Sequence, residues 1–183
     1  MEEAGLLTSA AAAAGTEIHE LLEEYLEDFD AQEYSDHEAH KYVVPVKHEL
    51  DCIKSLGCDR RYETTFASPR LGYAGTVDLH SDETGSVVDF KTQDGNRFRA
   101  YPEWILQLVA YQALVAAHYG HDPDYEGWTF NSPSVSNVMI HRRAECDGYA
   151  EVATQHWSDS EVAIARVKWR AIRDFFLADL NIP

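Results

Sequence analysis

Three short runs between residues 61 and 92 constrain this chain more than any other feature. RYETTFAS (61–68) is rich in β-branched and aromatic residues. GYAGTVDLHS (72–81) follows it closely, and SVVDFKT (86–92) comes after the turn-forming DETG (82–85). Such residues suit a pleated, half-buried surface, and the punctuation between them is that of turns, so the expectation is a compact antiparallel meander. Glycines in the second run permit close approach of another chain segment.

Helical periodicity flanks this meander. In 15–30, GTEIHELLEEYLEDFD, the residues Ile18, Leu21, Leu22, Tyr25, Leu26 and Phe29 recur at helical spacing. The alanine run before it is a strong helix former. Residues 36–56 suggest a second, less regular helix interrupted near Pro45. YPEWILQLVAYQALVAAHYG (101–120) predicts a strong helix with Pro102 in its first turn and Gly120 just past its end. GWTFN (127–131), NVMIHRR (137–143) and GYAEVAT (148–154) read as further strands. The last 23 or so residues predict an amphipathic helix with Val162, Ala165, Trp169, Ile172 and Phe176 on one stripe. The fold class expected is α/β, a central mixed β-sheet flanked by helices. One domain is expected over 1–183: a helical part (1–59), the meander and following helix (60–120), and the remaining strands with the last helix (121–183).

Composition bounds the setting. With 183 residues and 45% hydrophobic content, the chain supports a real core. No run approaches the ~20 apolar residues of a membrane helix, and the acidic start is a poor signal peptide. Three cysteines, Cys52, Cys58 and Cys146, make no disulfide framework, and a reducing cytoplasm follows. Cys52 and Cys58 with His37, His40 and His48 leave a zinc site conceivable, although a solvated helix explains those histidines better. The net charge is −17, unusual for a chain that binds phosphates. The acid is concentrated early: residues 15–59 hold 13 acids and 3 bases, residues 60–183 hold 17 and 12. Adaptation to salt and a basic protein partner both account for it.

The chemistry lies between Asp78 and Lys91. Asp78 falls near the end of one predicted strand, and Asp89 and Lys91 sit two apart on the next, hence on one face. A hairpin brings Asp78 alongside them. Two carboxylates so placed repel, and a hard divalent cation with oxygen ligands relieves the repulsion. Such an ion polarises a phosphoryl oxygen and acidifies water, while Lys91 positions that water or offsets developing charge. An exposed strand with an ordinary salt bridge is the alternative, but Val87, Val88 and Phe90 mark a buried strand, where charged side chains need a reason.

These residues belong to an ordered set of blocks: G-T-E-I-H (15–19), Glu63, G-Y-A-G-T-V-D (72–78), V-V-D-F-K-T (87–92) and Q-L-V-A-Y (107–111). In that order the chain resembles the PD-(D/E)XK nuclease superfamily and its RecB-like exonuclease group, over roughly residues 15–112. The resemblance implies a restriction-endonuclease-like core. It implies that Asp78 and Asp89 bind Mg²⁺ or Mn²⁺ with the backbone carbonyl of Phe90, that His19 is a further ligand, and that Lys91 is the catalytic lysine. Gln107 and Tyr111 hold substrate or brace the site. They are one helical turn apart and neighbours on one face, and a buried structural pair is the other reading. Three roles are open to Glu63: ligand, phosphate-side acid, or ion-pair partner at the core edge. Glu23, one turn after His19, either orients the imidazole or faces solvent.

Arg97 and Arg99, just before the 101–120 helix, are candidate phosphate contacts. Arg166, Arg170 and Arg173 share a face of the last helix, for which a solvated surface is the favoured reading. Tyr101 and Trp104 either stack on bases or pack. The cysteines do not match the four-cysteine pattern of iron–sulfur relatives, so no cluster is expected. The activity implied is metal-dependent hydrolysis of DNA, exonucleolytic on single-stranded or processed ends, in recombination, repair or phage DNA processing. A non-catalytic DNA-associated or interaction module and a DNA endonuclease are the alternatives.

Overall fold

The computed structural model describes residues 15–26, 40–94, 97–122, 133–146 and 148–179, with the side chains of 143–146 left aside. The chain is α/β, with a mixed five-stranded sheet flanked by helices. Helix α1 covers 15–26, and α2 covers His40–Cys52 with a 3₁₀ turn (Lys54–Leu56) after it. Strands β1 (Arg60–Ser68), β2 (Tyr73–Ser81) and β3 (Val87–Gln93) lead to α3 (Trp104–His118). Then come β4 (Val135–Cys146), β5 (Tyr149–His156) and α4 (Asp159–Asp179). The strands lie in sheet order β1-β2-β3-β4-β5. The expected strand 127–131 and the outer parts of the first two predicted helices (27–30 and 36–39) lie outside the described residues.

The chain divides into two compact units. One holds the segments up to Cys52, Phe90–Phe98 and Val138–Thr154; the other holds Ile53–Asp89, Arg99–Asn137 and everything from Gln155.

In the first unit, α2 runs straight through Pro45, against the expected interruption. Val43, Val46 and Leu50 lie on one buried face and are each fully buried. Burial of a side chain of this size is worth about 1.5–3 kcal/mol, so the three together outweigh the ~3 kcal/mol cost of an internal proline. Helix α1 buries Ile18, Leu22 and Leu26.

In the second unit, the meander forms as expected. β1 and β2 pair antiparallel from Arg60↔Ser81 to Ser68↔Tyr73, and β2 pairs with β3 through Leu79↔Val88 and His80↔Val87. Asp82, in the β2–β3 turn, accepts hydrogen bonds from Arg61 Nε (3.0 Å) and from the Tyr119 hydroxyl (2.5 Å), which ties the turn to the end of α3. α3 begins at Trp104 rather than around Pro102. Trp104 N–H donates to Tyr101 O and Leu106 N–H to Glu103 O, so Pro102 stands in a tight turn ahead of the helix. The core gathers Phe66, Leu71, Val77, Val87, Leu108, Leu114, Val135 and Trp169 among others.

α4 opens with a capping box. Ser158 Oγ accepts from Glu161 N–H, and the Glu161 carboxylate accepts from Ser158 N–H. Val162, Ala165 and Trp169 are buried as expected, but Ile172 and Phe176 are 47% and 59% exposed. The contact line turns the other way after Trp169. The Arg173 guanidinium lies 5.0 Å over the Trp169 ring, and Leu177 comes against Gly72. The apolar residues repeat at about 3.5, whereas the face that packs drifts with the true helical pitch. Arg166 also departs from the solvated face expected for it. It is half-buried and donates to Gln112 Oε1 at 2.7 Å.

Gln112 is wholly buried in the apolar α3 and bridges two elements, since its Nε2 donates to Gly85 O at 3.3 Å. Gln112→Leu should therefore cost about 1–3 kcal/mol, because Gly85 O and the Arg166 guanidinium each lose a buried partner. Urea unfolding of the two proteins reads this directly; equal midpoints would contradict it.

Candidate metal and DNA-cleavage site

The second unit lines up acids across three adjacent strands. The β1–β2 register runs through Tyr62↔Leu79 and Thr64↔Val77, which brackets Glu63 against Asp78. The recorded β2–β3 pairing ends at Leu79↔Val88, and the next step of that register would face Asp78 with Asp89. Glu63, Asp78 and Asp89 thus hold neighbouring register positions, an acidic row across three adjacent strands, which lie about 4.8 Å apart. Asp78 is 9% exposed and Asp89 2%.

Glu63 is the one non-glycine residue with positive φ among those described (φ 41°). A glutamate there is sterically unfavourable, and such outliers concentrate at functional sites. The Glu63–Asp78 pairing step is missing at that same point while the register continues on either side, so the strain and the lost pairing coincide.

Tyr111 of α3 senses all three acids. Burial pushes its phenol up, and the charges of Asp78, Asp89 and Glu63 push the same way, against the pull of a hydrogen bond from Gln107. Gln107 Nε2 donates to the Tyr111 hydroxyl at 2.8 Å. The Gln–Tyr pair expected one helical turn apart is therefore formed, and it stands at the acidic row.

The glycine of the aspartate block has a steric reason. A Cβ on Gly75 would sit 3.0 Å from Tyr111 Cε1 and 3.6 Å from Leu114 Cδ1. Gly75→Ala should push the Tyr111 ring aside by a few tenths of an ångström. The fold should survive at a cost of about 1–3 kcal/mol, as overpacking of a filled site does. A thermal melt tests this; an unchanged or raised melting temperature would refute the steric argument.

In the first unit, helix α1 lies along the second half of β3. A Cβ on Gly15 would meet Thr92 Oγ1 at 2.9 Å, and the His19 ring stands edge-on to Phe90 at 6.1 Å. One helical turn advances ~6 Å and two strand residues advance ~6.6 Å, so the two contacts keep step. Gly15 is small because the helix meets the strand there, and this contact carries His19 to Phe90. Phe90 is buried, Lys91 is half-buried, and Glu23 faces solvent.

No protein-family model and no curated protein matches the chain.

The remaining sequence candidates fall as follows. Arg97 and Arg99 are exposed, and the Arg99 guanidinium lies 5.1 Å over the Tyr101 ring. Tyr101 and Trp104 pack edge to face at 5.1 Å. Cys52 and Cys58 are exposed free thiols, and His40 Nε2 lies 3.2 Å from the Tyr149 hydroxyl. His37 lies outside the described residues.

Sequence reasoning missed two polar side chains. Asn137 Nδ2 donates to Asp89 Oδ2 at 2.8 Å, and Trp157 Nε1 donates to Asn137 Oδ1 at 2.9 Å. The available signal was an asparagine within a largely apolar strand run, VSNVMI.

No described helix is long and apolar enough to cross a membrane.

Proposed function

We propose that this chain is a metal-dependent deoxyribonuclease with a PD-(D/E)XK-type site on a restriction-endonuclease-like core. The observation that carries the reading is the row of Glu63, Asp78 and Asp89 on three adjacent strands, beside the Gln107–Tyr111 pair. Acids gathered in this way, two of them buried, repel one another, and a divalent cation is the simplest relief. Asp78, Asp89, the Phe90 carbonyl and His19 are the proposed ligands of Mg²⁺ or Mn²⁺, as the family resemblance implies, and Glu63 is a further candidate ligand beside Asp78. When bound, the ion supplies the charge that polarises a phosphoryl oxygen and acidifies a water molecule.

The chain's own groups do the rest. Lys91, two residues along β3 from Asp89, offsets negative charge developing on the phosphate. Tyr111 and Gln107 orient the substrate as hydrogen-bond donors. Arg97 and Arg99 are proposed phosphate contacts. The preferred substrate is DNA with free ends, single-stranded or processed, cut exonucleolytically; a cytoplasmic role in recombination, repair or phage DNA processing fits that chemistry.

A second reading, a non-catalytic interaction module on the same fold, is favoured by the net charge of −17 and by the exposed Ile164, Val167, Phe175 and Phe176 on α4. A basic protein partner suits both features.

End-labelled single-stranded, linear duplex and closed circular DNA, each with Mg²⁺, Mn²⁺ or EDTA, separates the readings. Metal-dependent loss of linear DNA with circles spared supports the exonuclease. Cutting of circles makes it an endonuclease. Folded protein that cuts nothing under any metal overturns the enzyme and leaves the interaction module.

A further inference from the structure

We infer that Asn137 and Trp157 form a relay that positions Asp89 for the cation; the inference rests on the metal-dependent reading of this site. Asn137 is the third residue of β4 and wholly buried, and Trp157 follows β5, its backbone N–H donating to Val135 O at 3.3 Å. The side chains form one line, Trp157 Nε1 to Asn137 Oδ1 (2.9 Å) and Asn137 Nδ2 to Asp89 Oδ2 (2.8 Å).

The order of donors in this line is forced. An indole N–H can only donate and an ionised carboxylate can only accept, so the amide between them has one workable orientation. Trp157 thereby sets which end of Asn137 faces Asp89. Without the indole N–H the amide is free to rotate, and its oxygen turned to Asp89 would be repelled. Partners behind a metal-binding carboxylate orient it and raise its affinity for the ion, and their loss costs about 10–100-fold in binding. The relay also explains a polar residue in a strand where Val135, Val138 and Ile140 are all buried. An apolar residue would pack there equally well and would leave one carboxylate oxygen without this donor.

The test is calorimetric titration of the metal-free protein with Mn²⁺ alone, for wild type, Asn137→Ala, Trp157→Phe and the double variant. Thermal melts in EDTA accompany each titration. Trp157→Phe keeps an aromatic ring and removes only the N–H. Asn137→Ala should weaken Mn²⁺ binding by at least tenfold and Trp157→Phe by about threefold to tenfold. In the double variant Trp157→Phe should add nothing, because Trp157 acts through Asn137. A merely packing role would show instead as independent, additive effects or as a lowered melt with unchanged affinity, and either result overturns the relay. If Asn137→Ala does not fold, Trp157→Phe decides alone: weakened binding supports the relay and wild-type affinity overturns it. Wild-type protein that takes up no Mn²⁺ overturns the metal reading and the relay together, whereas wild-type binding with unaffected variants overturns only the relay.

Discussion

Asp89→Asn and Lys91→Ala are each expected to lower metal-dependent DNA hydrolysis by about 10³-fold, while the protein still folds. Asp89 is buried at the β3 end of the acidic row and hydrogen-bonded to Asn137. An asparagine keeps the size and an acceptor oxygen for Asn137, but it removes the charge that a divalent ion needs. Lys91 lies two residues further along the same strand and is only half-buried, so its truncation disturbs little packing. Losing one group that stabilises charge in the transition state costs about 10²–10³-fold, and losing a metal ligand costs at least as much. The variants should differ in Mn²⁺ uptake: Asp89→Asn binds the ion poorly, whereas Lys91→Ala binds it as well as wild type. Rates on end-labelled DNA, paired with Mn²⁺ titration and a thermal melt, check all three statements. Full activity in either folded variant would remove that residue from the site.

The largest effect on stability is expected from Leu114→Ala. Leu114 is completely buried in α3, within the core cluster that includes Phe66, Val77 and Trp169. Truncating such a leucine removes apolar burial and leaves a cavity, at about 2–5 kcal/mol. For a chain of this length each kcal/mol moves the melting temperature by about 2–4 °C, so a fall of roughly 5–15 °C should be seen. Phe175→Ala is the control. Phe175 is a larger apolar residue, but it is 72% exposed on α4, so its removal should stay within about 0.5 kcal/mol. A Phe175→Ala loss comparable with that of Leu114→Ala would mean that the outer face of α4 is covered in solution.

Local pattern made much of the architecture readable. The meander followed from β-branched runs and short turns, and α3 from its helical spacing. Strand period put Asp89 and Lys91 on one face and helical spacing paired Gln107 with Tyr111, whereas Asp78 joined them through the expected hairpin and the family resemblance. The errors have a common form. Pro45 looked like a break because propensity is local, whereas the burial of Val43, Val46 and Leu50 that holds α2 together is not. Ile172 and Phe176 looked like core because spacing marks a stripe without showing where along the helix the packing surface turns. Arg166 looked solvated because its acceptor, Gln112, is 54 residues away.

What the sequence by itself determined is the kind of each element and the chemical inventory: an acid on each of three successive strands, a lysine two residues past the last, a Gln–Tyr pair one helical turn apart. Tertiary structure decided the rest. Strand order set Glu63, Asp78 and Asp89 on adjacent strands at neighbouring register positions, the return of the chain through β4 brought Asn137 to Asp89 with Trp157 behind it, and close packing against Tyr111 required Gly75. The physical reason is range. Periodicity and propensity act over a few residues along the chain, whereas register, hydrogen bonds between distant strands and steric exclusion depend on which segments meet, and that depends on the whole core folding at once.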